Sequence, residues 1–214
     1  MKYFCIVLCL LLFGLTIKSQ RSYEMHLSGL VSQMSGDNVT GYRKLGLEVG
    51  GGMLFPLKPA GHKIGLALNY IQKGARDGRN ELQGDFSDYS LNLDYLELPL
   101  SYWVPLWGVY FQGGISAAYR VRFKQLNNGI EAAAPSNLST FEFGLHAGFH
   151  FQMNEKFIMN FKVHHSLTPV QESVSPVSFW FSQGGMHSII SLGITYQLTE
   201  GNFVWKSKSS KGTE

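Results

Sequence analysis

Alternation of apolar with polar or small residues, repeated in eight segments, most constrains how this 214-residue chain can fold. In the segment 141–152, FEFGLHAGFHFQ, every odd position is apolar and every even position is polar or Gly. Successive side chains of a β-strand point to opposite faces, so such a segment has one apolar face and one polar face. The period predicts β-strands and not helices, and therefore an all-β protein.

Seven further segments alternate with the same period. One of them, residues 89–95, loses its phase at residues 96–98, which predicts a β-bulge near Tyr95. The alternating segments cover 7 to 12 residues. We expect the strands that contain them to run for about 10 to 13 residues, close to the ~9–11 residues that cross a bilayer and longer than the ~5–6 of an ordinary strand. The seven segments are residues 24–31, 45–55, 64–70, 89–95, 111–122, 159–166 and 190–198.

The connections between these strands alternate between long and short. Bacterial outer-membrane barrels have long outer loops and short periplasmic turns. We therefore predict an eight-stranded antiparallel up-and-down transmembrane β-barrel, with Tyr102, Trp103 and Trp107 in an aromatic girdle at one turn. The long connections are residues 34–43, 74–87, 124–139 and 168–186, and the short ones are residues 56–61, 103–106 and 153–156.

The composition fits a chain that faces something other than water on one side. Residues are 44% hydrophobic, 14% aromatic and only 15% charged, which excludes a disordered protein. A formal charge of +3 is too small for a nucleic-acid-binding surface, so no nucleic-acid partner is expected. A soluble sandwich or lipocalin is the alternative fold, but its water-exposed face would carry more Lys and Glu than the polar faces of these strands do.

The first 19 residues have the pattern of a signal peptide. Lys2 supplies a positive charge, residues 3–16 are apolar, and Ser19 is a small residue at the expected cleavage point. We expect a signal peptide at 1–19, an outer-membrane barrel at 20–200 and a hydrophilic C-terminal tail at 201–214. Cys5 and Cys9 are the only cysteines, so a mature chain would have no disulfide, no Cys-zinc site and no Cys nucleophile.

Three short segments resemble a known family of bacterial proteins. These segments, residues 69–75, 95–100 and 189–198, are similar to the small outer-membrane β-barrel family of Bacteroidota, labelled porin-family or PorT-like. The resemblance implies a location in the bacterial outer membrane, and it links some family members to type IX secretion and gliding. The hydrophilic residues after the last strand depart from the family pattern.

If the apolar faces meet lipid, the polar faces line the interior. An eight-stranded barrel is just wide enough for side chains to fill it, so we expect a packed polar network in which acids and bases pair, and no diffusion pore. The predicted lumen network consists of Glu48, Asp94, Arg120, Glu142, His146, Lys162 and His164.

Two catalytic or metal-binding alternatives involve histidines. His146 and His150 share a face, but four residues along a strand separate them by about 13 Å, too far to bind one ion together. His164 and Ser166 loosely resemble the His-x-Ser pair of outer-membrane lipid A deacylases, in which His activates Ser. The alternation turns both side chains inward, away from lipid. No metal, cofactor or catalytic residue is therefore expected.

The predicted function lies in the loops. The connection at 168–186 is mostly polar, yet it carries Phe179, Trp180 and Phe181. These aromatics belong either to the outer aromatic girdle or to an anchor for a protein partner. We predict a non-enzymatic structural or interaction protein, with a PorT-like secretion accessory and a lipid A-modifying hydrolase as alternatives. The expected partners are outer-membrane lipid, lipopolysaccharide, and other envelope or secretion proteins.

Overall fold

The computed structural model describes residues 21–35, 41–58, 61–77, 88–133, 138–170 and 185–198. In these ranges the regular structure consists of β-strands. The strands are β1 (Ser22–Ser35), β2 (Lys44–Pro56), β3 (Lys63–Asp77), β4 (Tyr89–Leu106), β5 (Val109–Asn127), β6 (Ile130–Ala132), β7 (Phe141–Gln152), β8 (Phe157–Ser166) and β9 (Met186–Gln197). No helix in the described part of the chain is long and apolar enough to cross a membrane.

Eight of the described strands close a barrel. Each long strand pairs antiparallel with the next long strand along the chain, and β1 pairs with β9 to complete the ring. The predicted all-β, eight-stranded antiparallel barrel is confirmed. The short β6 lies outside the ring, where an Asn128–Gly129 turn folds it back on the end of β5. Both turn residues have positive φ, which suits the Asn-Gly sequence.

The two faces of the wall differ in chemistry as the alternation requires. On β7 the odd positions point outward, and Leu145 in mid-strand has 46% of its surface exposed. The even positions Glu142, His146 and His150 point inward and are buried. Among the described residues the same division holds on β1, β2, β8 and β9, which places a continuous apolar surface on the outside of the barrel.

Aromatic pairs lie at two levels of this outer surface. Phe111 and Phe149 contact each other near the short turns, with ring centroids 5.4 Å apart, and Tyr119 and Phe141 pair near the long loops at 5.3 Å. Phe111 and Tyr119 are both on β5, about 26 Å apart along the strand. This spacing is comparable to the ~25 Å height of the lipid-facing band in outer-membrane barrels, which aromatic girdles border on both sides.

The irregularity near Tyr95 is present, but its extra residue lies on the neighbouring strand. The β4–β5 register shifts between Asp94 and Tyr95, because Asp94 pairs with Arg122 while Tyr95 pairs with Arg120. Val121 is therefore the additional residue. β4 itself keeps one face inward throughout, so Leu91, Leu93 and Tyr95, which the alternation assigned to the apolar outer face, lie in the interior. The odd-numbered residues of β4 point inward along the whole strand, but they change from apolar at Leu91, Leu93 and Tyr95 to polar at Glu97.

The short connections lie together at one end of the barrel, between β2 and β3, at residues 107–108 and at residues 153–156. The predicted turn at residues 103–106 was placed too early, since β4 continues to Leu106 and the turn consists of Trp107 and Gly108. Both have positive φ, as a two-residue hairpin turn requires. Trp103 was wrongly assigned to the girdle. It is buried inside the barrel, where its indole Nε1 donates to Ser101 Oγ at 2.9 Å.

Candidate functional site

The centre of the barrel interior contains a lysine held between two glutamates. The Lys73 side chain on β3 is fully buried, and its Nζ donates to Glu97 Oε2 at 3.1 Å and to Glu142 Oε1 at 2.8 Å. Glu142 also accepts a hydrogen bond from Ser166 Oγ at 2.9 Å and pairs with His187 Nδ1 at 2.9 Å. Five side chains from β3, β4, β7, β8 and β9 are thus tied together across the lumen.

A second network of buried charges lies closer to the short turns. Glu48 Oε1 accepts hydrogen bonds from Lys162 Nζ at 2.6 Å and from Asn69 Nδ2 at 2.9 Å. His26 Nε2 lies 3.3 Å from the same oxygen. This network joins strands that are not neighbours, because Lys162 belongs to β8 and Glu48 to β2, with β1 and β9 between them in the ring. A buried charge is tolerated when it has such partners, and removing one partner is strongly destabilising.

Apolar side chains fill the interior at the long-loop end. Leu30, Ile71, Leu93, Tyr95 and Ile189 belong to one buried cluster beside the Lys73 network, and Lys73 Nζ lies 4.9 Å from the centroid of the Tyr95 ring. At the other end, Leu54, Trp103 and Ile158 form a second cluster. The lumen is therefore filled by side chains along its length. An eight-stranded barrel is just wide enough for such an interior of packed side chains.

Histidines border the small space that remains inside. His146 and His164 lie opposite each other on β7 and β8, and His150 Nε2 is 2.6 Å from Gln112 Oε1. These side chains line a cavity of about 50 Å³, whereas pockets for drug-sized ligands measure roughly 300 Å³ or more. Among the described residues, no group of three or more His, Cys, Asp or Glu side chains has the geometry to hold a metal ion.

His164 and Ser166 both face inward, and each has a different partner. His164 Nε2 is 3.2 Å from Ser116 Oγ, while Ser166 Oγ donates to Glu142. A hydrolytic pair requires the histidine within hydrogen-bond reach of the serine that it activates. The geometry gives Ser166 a structural role in the Lys73 network and leaves it out of reach of lipid, so it provides no support for a deacylase.

Most residues of the predicted lumen network do line the interior: Glu48, Arg120, Glu142, His146, Lys162 and His164. Asp94, which was predicted to line the interior, does not. It shares the outer face of β4 with Leu96, where its Oδ2 accepts a hydrogen bond from Tyr70 Oη at 2.8 Å and lies 3.7 Å from Arg122 Nη1. The polar character of Asp94 suggested the interior, but the continuous β3–β4 register places it outside.

The sequence prediction missed three members of the central network, Lys73, Glu97 and His187. A usable signal was present for Lys73, because the alternation of β3 continued past Tyr70 places position 73 inside. Glu97 was missed because the apolar face of β4 was assigned in the wrong phase. The predicted anchor residues Phe179, Trp180 and Phe181 lie outside the described residues.

Comparison with known proteins agrees with this architecture. Residues 17–172 match the family model described as outer membrane protein beta-barrel domain. Among solved structures, Neisserial surface protein A is similar with a TM-score of 0.53 and 8% identity, over 81% of this chain and 96% of that protein. The attachment invasion locus protein Ail of Yersinia pestis aligns with a TM-score of 0.48 and 12% identity, over 85% of this chain and 99% of Ail. No curated protein sequence matches the chain.

Proposed function

The chain belongs to the outer membrane protein beta-barrel domain family, and on that basis we propose that it is a non-enzymatic interaction module that acts through its long loops. Its location is the bacterial outer membrane. The observation that supports the proposal most is the filled interior, in which Lys73 is paired with Glu97 and Glu142 beside an apolar cluster. A lumen of this kind neither conducts solutes nor accommodates a sizeable ligand, so recognition falls to the ends of the barrel.

The long-loop end is the better candidate of the two ends. The connections there span residues 36–43, 78–88, 133–140 and 167–185, whereas the other end has three short turns. Long loops on a rigid scaffold are where binding residues concentrate. By analogy with other outer-membrane barrels, these loops face the cell exterior. The alternative is a PorT-like accessory of type IX protein secretion. Capture of a secretion protein as the partner would favour this alternative over a general interaction module.

The aromatic triplet in the longest connection provides the test. We expect Trp180→Ser to abolish co-purification of a protein partner while leaving the stability of the barrel unchanged, because Trp is enriched among residues that dominate protein interfaces. The measurement is quantitative mass spectrometry of proteins captured with the detergent-extracted barrel, together with its thermal unfolding. Trp107→Ser is the matched control, since Trp107 is 91% exposed but lies at the short-turn end. A lowered stability with an unchanged set of partners would assign the triplet to the aromatic girdle and contradict the proposal.

A further inference from the structure

The extra residue on β5 turns two cations to the outside of the barrel. On the short-turn side of Val121, Arg120 faces inward and pairs with Tyr95. On the long-loop side, Arg122 pairs with Asp94 and Lys124 pairs with Asn92, and these residues lie on the outer face. The Arg122 side chain is 64% exposed. Without the extra residue, the alternation would have directed both cations into the interior. The irregularity therefore places positive charge on the outer wall at the long-loop end.

A cleft forms at the same place because β2 and β3 separate. Their pairing stops at Glu48 and Ile71, although both strands continue toward the long-loop end. There β3 passes along the inner side of β2, where a Cβ on Gly46 would lie only 2.2 Å from the Gln72 carbonyl oxygen. Ser32 Oγ of β1 donates to the Gly74 carbonyl at 2.9 Å and holds β3 in this position. The close approach explains the glycine at position 46.

The resulting space, which we name the rim cleft, has a volume of about 230 Å³. Four cations and one carboxylate border it. The ammonium of Lys73 is already paired with Glu97 and Glu142, and the other three cations still outnumber the carboxylate, so the lining is net positive. The carboxylate of Asp94 is already engaged by Tyr70 Oη and lies near Arg122, while Lys44 Nζ donates to Asn92 Oδ1. Lys124 has no ion-pair partner among the described residues. The rim cleft is lined by Lys44, Gln72, Lys73, Asn92, Asp94, Arg122, Lys124 and Leu126.

The position of the rim cleft indicates which anion it would meet. It lies just beyond the outward-facing Tyr119 and Val121, at the end of the lipid-facing apolar band nearest the long loops. The anionic groups at this level of an outer membrane are lipid phosphates, and Arg and Lys bind phosphate through charge-assisted hydrogen bonds. We propose that the rim cleft binds a phosphate group of an outer-leaflet lipid. The proposal rests on the orientation given under Proposed function, with the long loops at the cell exterior.

Binding of defined lipids to the purified, detergent-solubilised barrel tests the proposal by native mass spectrometry. We expect the wild-type protein to bind bis-phosphorylated lipid A at least about tenfold more tightly than dephosphorylated lipid A, and we expect Arg122→Gln/Lys124→Gln to lose this preference. Lys58→Gln/Lys156→Gln is the matched control, because it removes two exposed lysines at the short-turn end. A difference in migration between unboiled and boiled samples on SDS gels establishes that each variant is folded.

A second variant keeps the test informative if the double variant does not fold. Asp94→Asn removes the one carboxylate of the rim cleft, so it should bind phosphorylated lipid A several-fold more tightly than the wild type, a gain that misfolding cannot imitate. Equal binding of the two forms of lipid A, or an unchanged preference in both cleft variants, would overturn the proposal. Displacement of the lipid by inorganic phosphate at equal concentration would assign the site to free phosphate and also contradict it. The capture of a protein partner by the loop that contains Trp180 is measured in a separate experiment. The phosphate site and the loop interaction can therefore each be contradicted without the other.

Discussion

Replacing Lys73 with Met is expected to lower the free energy of unfolding by about 3–5 kcal/mol. The substitution leaves Glu97 and Glu142 buried beside each other with no cation between them. Met nearly fills the volume of the lysine side chain, so the loss of charge compensation, and not a cavity, dominates the effect. The measurement is a urea titration of the refolded protein, with the difference in migration between unboiled and boiled samples on SDS gels as an independent report of the folded barrel.

Two further variants identify the cause of that loss. Lys156→Met removes an exposed lysine in a short turn and should change the free energy of unfolding by less than about 0.5 kcal/mol. The triple variant Lys73→Met/Glu97→Gln/Glu142→Gln should recover much of the stability, because it no longer buries unpaired carboxylates. If Lys73→Met were as stable as Lys156→Met, the central network would not be the structural core that its geometry indicates.

Replacing Leu145 with Arg is expected to cost about 2–4 kcal/mol, the penalty for a cation near the middle of a lipid-facing surface. Leu145 lies on the outer face of β7 between the aromatic pair at Phe141 and the pair at Phe149. His146→Ala should cost less, since this inward-facing side chain makes no hydrogen bond within the described part of the chain. Both effects are measured as unfolding free energies in lipid vesicles.

The control for Leu145→Arg is the same substitution at a residue near the edge of the bilayer, because the penalty for a cation depends on its depth. Met153→Arg places the same charge in an exposed turn at the end of the barrel, where the penalty should fall to less than about 1 kcal/mol. A larger loss for His146→Ala than for Leu145→Arg would mean that the two faces of the wall had been exchanged.

Much of the architecture could be predicted from local pattern. The period of two on β7, β8 and β9 assigned their faces correctly, because one face of each strand is apolar and meets lipid while the other is mostly polar and lines the interior. The same rule failed on β4, where the inner face is apolar at Leu91, Leu93 and Tyr95 and becomes polar at Glu97. Alternation gives the two faces of a strand but does not indicate which is inside when both change in composition.

The pairing of charges could not be predicted from the sequence. Lys73 and Glu142 are far apart in the chain, and their contact depends on the register between strands and on barrel closure. The register also places Arg122 on the outer face of the barrel, since one additional residue in β5 reverses the faces beyond it. Tertiary geometry thus decides which charges compensate one another in the lumen and which ones face lipid headgroups.

Labelling of single cysteines in intact cells tests most directly whether the barrel spans the outer membrane with its long loops outside. The chain has no cysteine after Cys9, so Glu131→Cys at the long-loop end and Glu155→Cys in a short turn each introduce one exposed thiol. The probe is a polyethylene-glycol maleimide too large to pass through porins. We expect Glu131→Cys to react in intact cells and Glu155→Cys to react only after the outer membrane has been permeabilised. Reaction of Glu155→Cys in intact cells, or of both variants equally, would contradict the account.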